Sequence, residues 1–165
     1  MAYTILQHLR YNAWANSRMA EIVCTVDDQL FYEESKSSFA SIAKTLLHIW
    51  DAETVWMLRM KGTSVKAMPS VNFSGARMEL LEAFINSSLE LVAFVESQGD
   101  GFLQHKYSYK SLKGDLFEDS VEDTLFHVVN HGTYHRGQIV TLLRSKGITN
   151  LASTDLIHYL RLIRK

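Results

Sequence analysis

Apolar residues recur at three- and four-residue steps through most of this chain, the period of amphipathic α-helices. From Tyr3 to about Val26, the set Ile5, Leu6, Leu9, Ala13, Met19, Ile22 and Val23 traces one such face. Acidic and polar residues from Asp27 to Ser37 break the pattern and predict a loop. A second periodic stretch, "SIAKTLLHIWDAETVWMLRMKG", begins where Ser38 to Ser41 offer hydroxyls to free amides, and it stops at Gly62. Around Pro69 the composition turns loop-like. A third helix fits Ser74 to Ser97 on the spacing of Leu80, Leu81, Phe84, Ile85, Leu91, Val92 and Val95, before the breaker "GDG".

The period then changes. In "HKYSYKSLKGDLFED" aromatic and polar residues alternate around a Lys-Gly-Asp turn, which predicts a short hairpin or extended excursion. Ser120, with Asp123 three residues on, resembles a capping box opening a fourth long helix. That helix runs to about Lys146, and Gly147 is a natural stop. A short last helix covers about Thr154 to Arg164. With no internal repeat, low-complexity segment or linker, residues 1–165 read as a single all-α domain. Its expected architecture is a four-helix bundle with a short C-terminal helix, and the excursion is long enough for a crossover connection.

Composition narrows the function. At 165 residues, with 47% hydrophobic and 21% charged, the chain can bury a sizeable core. The 17 basic and 18 acidic residues leave a net charge of −1, so no overall field draws nucleic acid or an anionic membrane. The C-terminal "RLIRK" reads as a solvated helix end. No apolar run approaches the roughly 18–20 residues of a membrane helix. The N-terminal stretch lacks the basic start and apolar core of a signal peptide. Cys24, the single cysteine, excludes an intrachain disulfide, and its neighbours in "MAEIVCTV" predict a small buried hydrophobe. A cytoplasmic location is the expectation.

The chemistry concentrates in "HVVNHGTYHRGQI", which spaces His127, His131 and His135 four apart. An α-helix turns about 100° per residue, so a step of four returns within about 40° of its start. The three imidazoles therefore share a stripe, flanked by Leu125, Val128, Val129, Ile139, Leu142 and Leu143. Each could be a separately satisfied polar side chain, but an unsatisfied buried group costs about 1–3 kcal/mol, and one metal ion satisfies several nitrogens at once. Two histidines at this spacing can aim at one ion. A third ligand must come from another helix; His48, mid-helix in "TLLHIWDAE", is the best placed, with His8, His105 and His158 as weaker alternatives. Asp51, three residues after His48, is a candidate to orient a ligand or act as a base, against the plainer reading of a partly exposed surface carboxylate. Gln138, three beyond His135, can reach the same side. Gly132 and Gly137 weaken the helix by roughly 0.5–1 kcal/mol each, which suggests that something approaches the backbone there. Arg136 points elsewhere, toward helix or subunit contacts. Trp14, Trp56 and Met57 suit core packing more than a subunit surface.

These residues carry a resemblance. "HVVNHGTYHRGQI" resembles the signature of the DinB branch of the DinB/YfiT-like metalloenzyme superfamily. "LRYNAWANSRM", "SFASIAKTLLHIWDAETVW" and "YKSLKGDLFEDSVEDTLFHVVNH" are similar to its other helix patterns, so the likeness spans nearly the whole chain. The resemblance implies an up-down-down-up bundle, commonly a homodimer. It also implies a divalent metal, nickel or zinc, held by His48, His131 and His135, with His127 in a supporting role. Three protein ligands leave a coordination position open, the pattern of a catalytic site. Relatives that use low-molecular-weight thiols such as bacillithiol or mycothiol point to S-transfer in stress or detoxification. The alternatives are metal-dependent hydrolysis of a small amide or ester, and a stress-induced metal- or ligand-binding protein without turnover. DNA binding ranks last on charge.

Overall fold

Local caps decide where the helices begin. In the computed structural model, which describes residues 3–36 and 38–164, Thr4 opens α1 (Ile5–Cys24) by accepting from the Gln7 amide while Gln7 accepts from the Thr4 amide. Met1, Ala2, Ser37 (the predicted end of the first loop) and Lys165 lie outside the described residues. Ser41 caps α3 (Ile42–Met60) through the Lys44 amide, and Ser120 caps α5 (Val121–Ser145) through that of Asp123. α4 spans Arg77–Glu96, and α6 spans Leu156–Ile163. These boundaries lie within a few residues of those the periodicity predicts.

The expected loop from Asp27 contains a short helix, α2 (Asp28–Tyr32). Asp27 caps it by accepting from the Leu30 amide, and the turn buries Phe31 completely. The alternating segment is a hairpin, β1 (Lys106–Lys110) antiparallel to β2 (Leu116–Ser120), with Tyr107 opposite Asp119 and Tyr109 opposite Phe117. Gly114, at φ 95°, supplies the left-handed residue of its turn.

Long-range contacts set the helix directions. Arg10 of α1 meets Glu96 near the end of α4, and Arg77 at the start of α4 reaches the Val23 and Val26 carbonyls, so α1 and α4 are antiparallel. Glu53 meets Ser87 and Ser88 while Lys61 sits over Phe94, so α3 and α4 run parallel. His48 lies by His135 and Trp56 by His127, so α3 and α5 are antiparallel. The bundle is therefore up-down-down-up, with α1 opposite α3 and α4 opposite α5 across its diagonals. A parallel α3–α4 pair needs a connection that returns along the bundle. Residues 61–76 make it, and Asp51 pins it by accepting from the Ser70 amide (2.8 Å) and hydroxyl (2.6 Å). The hairpin excursion spans the diagonal from α4 to α5.

The apolar core is divided into two clusters. One holds Met19, Val23, Phe31, Ile49, Phe84 and Leu143, and the other Leu9, Ala15, Met57, Leu91, Leu125 and Val128. Trp14 and Trp56 pack half-buried against the second, and Met57 belongs to it, in keeping with their expected packing role. Cys24 corrects its prediction. Ile22 and Val23 take the buried side of the last turn of α1, and Cys24 is left exposed in a groove between α1 and α4 beside Ala20 and Met78. Among the described residues, no helix is long and apolar enough to cross a membrane.

Candidate metal centre

α5 presents His131 and His135 one turn apart on the side facing α3, and α3 brings His48 to them. One nitrogen from each ring lies within 4.8 Å of the others, and this is the group of metal-ligating type found among the described residues. The His131 and His48 Nε2 atoms are 2.8 Å apart, so one ring donates and the other accepts. His135 Nδ1 lies 2.7 Å from Gln138 Oε1. That oxygen only accepts, so Nδ1 carries a proton and Nε2 is the nitrogen left to take a ligand. Gln138 is itself held, its amide nitrogen donating to Ser38 Oγ at 2.9 Å.

Burial is uneven across the cluster. His135 is 6% exposed, whereas His48 and His131 are half-buried, so the centre opens toward solvent on their side. Phe39 stacks on His48 with ring centres 3.9 Å apart and sets its edge against His135 at 5.4 Å. Desolvation, then the neighbouring His135, lowers the His48 pKa from 6.5 to about 4. Desolvation, then His135, His48 and His127, lowers that of His131 to about 3. Both rings are therefore neutral at pH 7, the form in which imidazole binds metal.

The other candidates separate from this cluster. His127 is exposed, 5.9 Å from the His131 ring and edge-on to Trp56 at 5.4 Å, beside a cavity of about 290 Å³ that Asp119, Asp123 and Thr124 also line. His8 faces Tyr3, His158 stacks on Trp14, and His105 is exposed at the foot of β1. Asp51 is 5% exposed rather than partly exposed, and both its oxygens are engaged by Ser70. Gly132 answers the expected close approach: a Cβ there would lie 2.9 Å from both Arg136 Nη1 and Asn12 Oδ1. Gly137 does not, since nothing stands within 4 Å of its Cβ position.

Sequence reasoning missed Phe39 and Ser38, which reach the centre from the segment before α3, where no periodicity marks them. It also missed a buried polar group around Arg136, although Asn12 and Asn16, four apart on the apolar side of α1, were a usable signal.

Three imidazoles converging from two helices, with a half-open side, fit a divalent cation of the zinc, nickel, copper or iron kind. Fold and site together define a helical-bundle protein with a three-histidine centre suited to metal. The chain belongs to the DinB family, whose profile matches residues 1–162. It is 26% identical to Protein DinB of Bacillus subtilis (strain 168) over 157 residues, covering 91% of this chain and 90% of that one. Its fold is similar to that of a DinB-like protein from Bacillus cereus ATCC 10987, with TM-score 0.69 and 17% identity, over 90% of this chain and 95% of that one. A DinB-like protein of Bacillus subtilis, YjoA, gives TM-score 0.64 and 16% identity over 92% and 97% of the two chains. At these identities the two structures speak for the fold alone.

Proposed function

We propose that this protein is a divalent-metal-dependent S-transferase that joins a low-molecular-weight thiol, of the bacillithiol or mycothiol type, to an electrophilic small molecule. The observation that carries the reading is the convergence of His48, His131 and His135, with donor atoms within 4.8 Å. A nickel or zinc ion bound there would lower the pKa of a coordinated thiol into the neutral range. The chain's own residues do the positioning: Gln138 fixes the tautomer of His135, and Phe39 shields the His48 ring from water on one side. In the transfer, the sulfur forms a bond to the electrophilic carbon, the leaving group departs with its electron pair, and the thiol proton passes to solvent.

The position of Asp51 favours thiol transfer over hydrolysis. Activation of water by a carboxylate base needs a free oxygen facing the centre, and Ser70 holds both oxygens of Asp51. A thiol needs no such base, because its pKa is about 8.5 before any cation acts on it.

Metal content of the purified protein should approach stoichiometry and drop in each of His48→Ala, His131→Ala and His135→Ala. The loaded protein should then conjugate small thiols to model electrophiles above background. Metal uptake without any conjugation across a thiol panel would leave a binding protein and reject the transferase. Homodimerisation belongs to the same proposal and is read by sedimentation.

A further inference from the structure

Between the two apolar clusters, every long helix contributes buried polar side chains at one level of the bundle. They are Asn12 and Asn16 on α1, Glu53 on α3, Ser87 and Ser88 on α4, and Arg136 on α5, each at most 4% exposed. The guanidinium and the carboxylate are joined through two amides. Arg136 Nη1 donates to Oδ1 of Asn12 (2.8 Å) and Asn16 (2.6 Å), and both amides donate onward to Glu53 Oε1 (2.6 and 2.9 Å). Ser87 and Ser88 donate to the other Glu53 oxygen at 2.8 and 2.7 Å. Burial is the largest influence on Glu53 and raises its pKa, while the donors on its carboxylate and the Arg136 charge pull the other way.

We propose that this buried network is the positioning device of the metal centre: it sets the rotation and height of α5 against α3, and so aims His131 and His135 at His48. The inference rests on the metal site proposed above and adds the residues that build it. The two helices that carry the ligands are the two that carry the charges. Glu53 follows His48 by five residues, about 7.5 Å along the helix, and Arg136 is next to His135. At this level the interdigitating side chains of the two apolar clusters give way to buried polar ones. Directional hydrogen bonds take their place, and a fully satisfied buried network specifies one arrangement.

Stability alone does not account for the network. Buried ion pairs often give way to hydrophobic residues of similar volume with no loss of stability, whereas removing one partner is strongly destabilising. Gly132 fits the same account. Next to His131, it forgoes a side chain so that Arg136 and Asn12 can meet against the backbone of α5.

The test uses the whole protein, metal-free and with Ni²⁺. Gly132→Ala crowds Arg136 and Asn12 while raising helix propensity. Glu53→Gln keeps the shape but places an amide donor among donors. Circular dichroism should show helix content near that of wild type in both. Ni²⁺ affinity should fall about 10–100-fold, the range typical of losing a group that orients a metal ligand. In the metal-free protein, the imidazole ¹⁵N shifts that report the His48–His131 hydrogen bond should move toward those of free rings. Should Glu53→Gln not fold, Gly132→Ala carries the test alone. Either readout unchanged in a folded variant overturns the proposal. A wild type that takes up no Ni²⁺ defeats the metal site instead, and the ¹⁵N shifts then decide the positioning claim by themselves.

Discussion

Asp51 and Gln138 are candidates for the same reason, each standing three residues from a histidine of the cluster on one helix face. The structure gives them different tasks. Asp51 ties the returning segment 61–76 to α3 through Ser70, so Asp51→Asn should lower stability by about 1–3 kcal/mol while the proposed thiol transfer, referred to folded protein, is retained. Loss of turnover with unchanged stability would instead make Asp51 a catalytic base. Gln138 bonds the His135 imidazole itself, and Gln138→Ala should weaken the proposed metal binding about 10–100-fold with little change in melting temperature. A metal titration that superimposes on wild type would show that His135 is held by packing alone. Spacing made both residues visible. It could not separate them, because what a side chain meets beyond its own turn depends on Ser70 and Ser38, in other segments.

At the scale of elements, legibility followed the range of the forces involved. Ser41 and Ser120 cap helices through amides three residues ahead, so short stretches sufficed to place α3 and α5. Ser120→Ala should destabilise the protein by about 1 kcal/mol, read as a lower urea midpoint at unchanged slope. An unaltered midpoint would mean that the hairpin β2 strand, and not the cap, fixes the start of α5. The alternation in "YSYK" around Gly114 was equally local and yielded the hairpin. α2 escaped because its five residues carry too little periodicity; its marks are the Asp27 cap and buried Phe31. Cys24 was misjudged because its apolar neighbours in sequence occupy the other side of the turn.

For the whole molecule, the lowered pKa values of His48 and His131 make stability depend on pH. Folding lowers the pKa of His48 from 6.5 to about 4 and that of His131 to about 3, so between these values the unfolded chain binds more protons than the folded one. Stability of the metal-free protein is therefore complete above about pH 6.5 and declines as the pH falls toward 4 and 3. Denaturation midpoints should drop over that interval, less so in His131→Gln, and a flat profile would contradict neutral His48 and His131 rings. The sequence by itself determined the helical period, the caps, the hairpin turn and the histidine column, because each arises from residues within a turn or two of one another. The tertiary structure decided the parallel run of α3 and α4, which beforehand only the family resemblance implied, and it alone decided that Glu53 and Arg136 meet Asn12 across separations of 41 and 124 residues. It likewise brought His48 to His131 from 83 residues away. Such partners are selected when four amphipathic faces close on one core, and a helix's own period leaves open which helix its face will meet.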